Sequence, residues 1–251
     1  MSQSITCVII TFNEEHRIEA CLKSVQEVAD EIIVVDSFST DGTASVCERF
    51  EKVRVIQQKW LGYSEQKNLG ISMACHPYIL SIDSDEVLSP KLIESIKKEK
   101  QRGLTGAYSF NRLTFYRSTP IRHCGWYPDS KIRLWQGDAA RWAGDVHEEL
   151  KFTNKVVETH LKGDLLHFSF SGIDELLKKM ISYTTIYANQ KKPQSTLTIV
   201  GKIIFSPLFT FFRMYFLKLG FLDGLAGFKI SCISAFYNFV KYAKIHELGS
   251  K

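Results

Sequence analysis

The sequence predicts an α/β fold: a mostly parallel sheet, doubly wound by helices, with a helical C-terminal appendage. Three observations predict it. Short β-branched apolar runs alternate with helix-periodic segments over the first hundred residues. Two of those runs end in carboxylates, at the strand ends where open parallel sheets bind their ligands. The last fifth of the chain is apolar, aromatic and basic, without strand-like alternation.

Residues 4–11 (SITCVIIT) form an apolar run suited to a strand buried on both faces. Residues 14–29 carry Ile18, Cys21, Leu22 and Val25 at helical spacing, with Glu14 and Glu15 at the positive end of the helix dipole. Residues 31–36 (EIIVVD) are a second buried strand ending in Asp36. In Thr40-Asp41-Gly42-Thr43, Thr40 or Asp41 can cap a helix over 43–50. Residues 53–57 read as a third strand, 64–74 as a helix, and 78–83 (YILSID) as a fourth strand that again ends in acid. Ser89-Pro90 opens a helix by the cap-then-proline rule, and Gly103 closes it. Residues 107–116 and 131–136 are strand-like pieces in a stretch dense in Trp, His, Arg and Asp. A helix over 173–190 is broken by Lys191-Lys192-Pro193.

With 251 residues, 45% apolar and 24% charged, the chain can bury a real core, and disordered or collagen-like readings fail. Six scattered cysteines without a C-x-x-C pair fit core residues in a reducing compartment, neither a disulfide framework nor a zinc site. No basic region with a long apolar stretch opens the chain, so a cytoplasmic location is expected. The net charge of +5 lies entirely in residues 200–251, where seven Lys or Arg face only Asp223 and Glu247. The same stretch holds nine of the seventeen phenylalanines. The chain therefore divides into a neutral body, 1–199, and a basic-aromatic tail, 200–251. Such a tail on a neutral body points to an anionic membrane surface and a peripheral place on it; packing on the body or in a homo-oligomer is the alternative. The longest uncharged runs, 203–212 and 230–240, fall short of the roughly 20 residues of a span, so lying on a membrane is expected before crossing one. A nucleic-acid partner is disfavoured, because the basic residues are interleaved with Phe.

The sharpest chemical feature is Ile82-Asp83-Ser84-Asp85-Glu86. Two carboxylates at i and i+2 leave a buried strand into a loop, where side by side they repel. A hard divalent cation shared with phosphate oxygens relieves that; a solvated acidic loop is the bland alternative. Asp36 stands where α/β folds often hold a ribose or base, or else caps a turn. Thr11-Phe12-Asn13-Glu14 ends the first strand and can offer backbone and Asn contacts to a nucleotide. No G-x-G-x-x-G, G-x-x-x-x-G-K-[ST] or H-E-x-x-H occurs, which disfavours a dinucleotide-binding dehydrogenase, a P-loop NTPase and a zincin.

Val8-Ile-Ile-Thr-Phe-Asn-Glu-Glu, Val35-Asp-Ser-Phe-Ser-Thr-Asp-Gly-Thr, Gln66-Lys67-Asn68 and Asp83-Ser84-Asp85-Glu86 together resemble family 2 glycosyltransferases of the GT-A (Rossmann-like) fold. Gly125-Trp126-Tyr127-Pro128-Asp129, Lys131-Ile-Arg133-Leu and Val146-His147-Glu148 are similar to the branch near lipopolysaccharide core β-glucosyltransferases, as are Gly and aromatic positions of the tail. Phe38 departs from the pattern, standing where Gly is usual. The resemblance implies an inverting, metal-dependent transfer of a hexose, expected to be glucose, from a UDP-sugar to a membrane-associated glycan or glycolipid. Thr11, Asn13 and Glu14 would line the nucleotide pocket, Asp36 would bind base or ribose, and Gln66, Lys67 and Asn68 would lie over the nucleotide sugar. Asp83 and Asp85 would hold Mg²⁺ or Mn²⁺ at the diphosphate.

The base that takes the acceptor proton is expected at Glu148, with Asp145 and Glu149 as the alternatives and His147 either orienting the base or reaching the metal. Trp126, Tyr127 and Asp129 would wall the acceptor, and Arg133 and Arg122 would meet its phosphates. Buried aromatics and ordinary surface pairs are the competing explanations. Two rival functions stay open at this stage: a nucleotidyltransferase that makes nucleotide sugars, and a sugar-nucleotide-binding protein without chemistry.

Overall fold

The computed structural model describes residues 3–144, 148–190 and 195–249. The chain folds as two compact units, Met1–Arg112 with Asp129–His167, and Leu113–Pro128 with Phe168–Lys251. The boundary expected at residue 200 falls inside the second unit, which also takes in residues 168–199 and the Leu113–Pro128 excursion.

The first unit begins as the sequence predicts. Strands β1 (Ile5–Thr11), β2 (Glu31–Asp36), β3 (Val53–Gln57) and β4 (Tyr78–Asp83) alternate with helices α1 (Glu15–Val25), α2 (Thr43–Cys47) and α3 (Tyr63–Ser72). The four strands pair in parallel in the order β3-β2-β1-β4, with Thr11 beside Asp36 and Ile10 beside Asp83. β1 is buried along its whole length, so both sheet faces are covered and its run of apolar residues needs no alternation. α3 lies so close to the sheet that a Cβ on Gly70 would sit 2.4 Å from Val8 Cγ1.

The sheet then changes direction. β5 (Glu86–Leu88) follows β4 at once, and helix α4 (Pro90–Arg102) starts where Ser89 Oγ accepts the Leu92 N–H. β6 (Ala107–Tyr116), β8 (Ser130–Gln136) and β11 (Glu158–Phe170) extend the sheet in the order β4-β8-β6-β11-β5. β8 is antiparallel to both β4 and β6, and β11 is antiparallel to β5. A separate antiparallel pair, β9 (Ala140–Ala143) with β10 (Glu149–Phe152), carries the chain through Glu148. Ile5, Ile9, Ile18, Leu22, Leu80 and Phe110 are among the residues of the main core, all closed to solvent.

The second unit contains the far ends of β6 and β11, the short β7 (Thr119–Pro120) that pairs with β6, and three helices. These are α5 (Ile173–Gln190), α6 (Thr196–Phe212) and α7 (Gly224–Gly249). α6 runs on through a π-turn to Leu217, and a 3-10 turn over Gly220–Asp223 leads into α7. Tyr116, Ile121, Cys124, Leu176 and Ile230 form its main buried cluster, and Trp126 packs on it with its ring 5.7 Å from that of Phe170.

Candidate active site

The polar ends of β1, β2 and β4 lie side by side, because strands paired in parallel bring all their C-terminal ends to one edge. At the end of β1, Asn13 takes a left-handed backbone (φ 53°), and its amide N–H donates to Ser39 Oγ at 2.8 Å. Its side-chain oxygen accepts the Thr40 N–H at 2.8 Å, so Asn13 stitches the first loop to the second. The Glu14 N–H donates to Thr43 Oγ1 at 2.9 Å, continuing that seam. Thr11 is buried, with no partner for its hydroxyl. Asp36 is wholly closed to solvent, and its carboxylate accepts from the Ser39 amide, the Ser39 hydroxyl and Gln57 Nε2. It shapes the loop that carries Phe38, which holds a left-handed backbone (φ 62°) in the place where Gly would be unstrained.

Gln66, Lys67 and Asn68 divide their work. Gln66 is buried and donates to Ser37 Oγ and the Gln58 carbonyl, while its own oxygen has no partner. Asn68 pairs with the Trp142 backbone in both directions, donating at 2.9 Å and accepting at 3.0 Å. Ser64 Oγ donates to the Gly144 carbonyl, so α3 grips the strand that leads to Glu148. Lys67 alone turns its charge into the site. It is 2% exposed, and its Nζ lies 3.0 Å from Asp83 Oδ1 and 2.7 Å from Glu148 Oε2. The same Nζ stands 4.8 Å from the centre of the Trp142 ring.

Behind this bridge lies a second buried charge group. Arg133 is within 3.2 Å of Glu86 Oε1 and 3.6 Å of Asp83 Oδ2. Its guanidinium also faces the Trp142 ring at 5.6 Å. Burial alone would raise the Asp83 carboxyl, but Lys67 and Arg133 outweigh it and hold Asp83 well below the usual carboxylate range. Glu86 is raised, chiefly by burial, and its Oε2 accepts the Asp83 N–H at 2.9 Å. Arg133 is thus an internal counter-ion. Its expected contact with acceptor phosphates is corrected by this burial, since the β8 side chain points into the charge group beneath Asp83.

Asp85 Oδ2 lies 3.3 Å from His167 Nε2, and the same imidazole also helps to lower the Asp83 carboxyl. His167 lies on β11 directly opposite Glu86 of β5, which is how a residue eighty positions away reaches this loop. Asp85 thus offers a carboxylate oxygen and His167 an imidazole nitrogen at one spot, two donors that a divalent cation could take together with phosphate oxygens of a ligand. Among the described residues no group of three His, Cys, Asp or Glu side chains could hold a metal as they stand.

The remaining expected residues are placed as follows. Asp129 is held by Arg112, at 3.0 Å from Nε, and by Lys131 at 3.0 Å. Trp126 and Tyr127 belong to the second unit, where Trp126 is half-buried on its core and Arg122 faces the Tyr127 ring at 5.5 Å. His147 and Asp145 lie outside the described residues. Sequence reasoning missed His167 and Trp142. Neither sits in a recognisable spacing, and only the strand pairing brings them to the site.

The family profile described as Glycosyl transferase family 2 matches residues 6–161, which include all these site residues up to Glu148. The chain belongs to glycosyl transferase family 2. It is 32% identical to an uncharacterized glycosyltransferase of Rickettsia typhi over 268 residues, covering 99% of this chain and 89% of that one. It is 29% identical to the lipopolysaccharide core biosynthesis glycosyltransferase LpsC of Rhizobium meliloti, covering 97% and 92%. Among solved structures, the mannosyltransferase PcManGT of Pyrobaculum calidifontis, in complex with GDP-Man and Mn²⁺, aligns with a TM-score of 0.54 at 12% identity, over 100% of this chain and 76% of that one. This family 2 enzyme is therefore a glycosyltransferase with a mixed α/β, Rossmann-like GT-A fold and a helical C-terminal part.

Proposed function

We propose that this glycosyltransferase moves a hexose, glucose in the first instance, from a UDP-sugar to a membrane-associated glycan such as lipopolysaccharide core, with inversion and with a divalent cation. The observation that carries the reading is Lys67, whose one ammonium joins Asp83 at the end of β4 to Glu148 before β10. It brings a diphosphate-side carboxylate and a candidate base into a single site.

Glu148 presents its second carboxylate oxygen to the acceptor hydroxyl and takes the proton as the hydroxyl oxygen bonds to the sugar C1 and the C1–diphosphate bond breaks. Lys67 fixes the orientation of Glu148 and stands ready for the negative charge of the departing nucleoside diphosphate. Asp83, Asp85 and His167 would hold Mn²⁺ or Mg²⁺, and a cation there would offset charge on the leaving group. The Asn13–Ser39–Thr40 seam and the buried Thr11 hydroxyl form the floor on which the nucleotide would lie. The membrane side of the reading is supported by the LpsC relationship and by the basic, Phe-rich tail, which suits an anionic surface at the inner face of the cytoplasmic membrane.

The test is turnover of a panel of nucleotide sugars, with and without lipid-linked glycan acceptors, in Mn²⁺, Mg²⁺ or EDTA. The expected result is cation-dependent turnover of a UDP-hexose. Asp85→Ala should abolish it, and Glu148→Gln should lower kcat by about 10²–10⁴ with nucleotide affinity kept. Release of pyrophosphate from a nucleoside triphosphate and a sugar phosphate would instead identify a nucleotidyltransferase. Full transfer activity in EDTA would overturn the metal role.

A further inference from the structure

We propose that α6 and the turn after it enter one leaflet of a phospholipid bilayer side-on, as an in-plane anchor that does not cross it. This deepens, and rests on, the membrane-side reading above. Thr196–Leu217 is a continuous helical stretch of 22 residues with mean hydropathy 1.4, and only 6% of its most apolar window is buried. The expectation of no segment long enough to span is corrected here: the helix continues through Lys202 and Arg213, which had divided the apolar runs.

Ile204, Phe205, Leu208, Phe209, Phe212 and Phe216 are all exposed and recur at three- and four-residue spacing, so they share one face. Phe205 is 69% exposed and Leu208 66%. Another face is already taken: Ile199 packs with Ala188 of α5 and Ile245 of α7, and Asn238 Nδ2 donates to Thr210 Oγ1 at 2.9 Å. A contiguous apolar face of this kind marks an interaction surface. Its charge selects the occupant. Residues 196–222 contain no Asp or Glu, and their charged groups are Lys202, Arg213 and Lys218. Lys202 Nζ faces the Tyr242 ring of α7 at 5.7 Å, whereas Arg213 and Lys218 are exposed. Long basic side chains beside an apolar stripe match anionic headgroups over acyl chains.

Crossing is ruled out by how the far end of α6 is tied. The Lys218 carbonyl accepts the Cys124 N–H at 3.0 Å. The Asp223 carboxylate accepts the N–H groups of Arg122 and His123, and His123 Nδ1 lies 2.7 Å from it. These partners belong to Leu113–Pro128, sixteen residues whose ends continue directly into Arg112 and Asp129 of the catalytic unit. Going through a bilayer core and back takes about 60 Å. Sixteen extended residues reach only about 55 Å. The tied end of α6 therefore stays on the catalytic side. α6 could then traverse only if α5 and α7 did so too, and among the described residues Thr196–Leu217 is the one stretch long and apolar enough. α5 carries Asp174, Glu175, Lys178 and Lys179.

The experiment sediments the full chain with vesicles of phosphatidylethanolamine and phosphatidylglycerol, and with phosphatidylcholine vesicles. Wild type should bind the anionic vesicles more strongly, and Leu208→Asp/Phe209→Asp should lower partitioning at least about tenfold. Acceptor-free hydrolysis of the nucleotide sugar and the urea midpoint should stay unchanged in that variant, so loss of anchoring is separated from failure of the catalytic reading. Unchanged partitioning would overturn the proposal. So would a concentration-dependent dimer without lipid, abolished by the same substitutions, together with no vesicle binding by wild type; that result would assign the face to a second copy of the chain. Lys218→Cys, in a Cys75→Ser/Cys232→Ser background, should react with a membrane-impermeant maleimide on intact vesicles. Protection until detergent is added would show that the helix crosses.

Discussion

Lys67 carries more of the site than its place in a helix suggests. Two carboxylates from distant parts of the chain share its ammonium in a nearly water-free position, so removing it leaves both without their nearest counter-ion. Lys67→Met should cost about 3 kcal/mol, measured by urea unfolding, and should reduce kcat together with stability. Lys67→Arg should recover part of the stability. A second residue-scale expectation concerns Glu31, which accepts from the Thr6 hydroxyl at 2.7 Å and the Cys75 N–H at 2.9 Å, with Arg54 at 3.4 Å. Burial pushes its carboxyl up, but those partners outweigh burial and hold it below its ordinary value. A depressed carboxylate stabilises the fold above its unfolded pKa of about 4.3. That contribution disappears as pH falls through the lower folded value. Glu31→Gln should therefore be less stable than the parent at pH 7, and the gap should close in acid below about pH 4; unfolding midpoints across pH measure it. At this scale the sequence was legible where chemistry lay in a short run, as for Asp83 and Asp85. It was not legible for His167, Trp142 or the true surroundings of Arg133, because those depend on which strands pair.

Elements show the same division. The parallel half of the first unit was readable, since each of its strands is a short apolar run and each cap or closure obeys a local rule; Ser89 caps α4, and Gly103 closes it at φ 93°. α2 stops at Cys47, three residues short of the expected end. β5, β7, β9 and β10 are too short to leave a period, and β11 lacks a clean one. Its buried positions fall at Leu161, Leu165 and Ser169, every fourth residue on one face, with Gly163 (φ 105°) between the first two where α4 passes. The packing of α3 gives an element-scale prediction. A side chain at Gly70 would strike Val8 and Val35, so Gly70→Val should destabilise by at least about 1–3 kcal/mol. Because α3 carries Lys67, Asn68 and Ser64, the same substitution should also lower kcat, as read by steady-state turnover at a temperature where the variant remains folded.

On the scale of the whole molecule, the cysteines report on the integrity of both units. Cys7, Cys21, Cys47 and Cys124 are buried, Cys232 is half-buried and Cys75 is exposed. Burial raises the Cys47 thiol to about 12, which further suppresses its reactivity. A native thiol titration should therefore show one fast group and one slower group, with the remaining four appearing only on unfolding. Early appearance of a third would reveal local opening of a core. The bare apolar face of α6 has a kinetic meaning as well. An enzyme held in a leaflet meets a lipid-borne acceptor by lateral diffusion, so encounter follows the acceptor's mole fraction in the bilayer and not its concentration in the sample. Diluting the acceptor with inert lipid should slow the reaction, whereas diluting the whole vesicle suspension should leave the rate per bound enzyme unchanged.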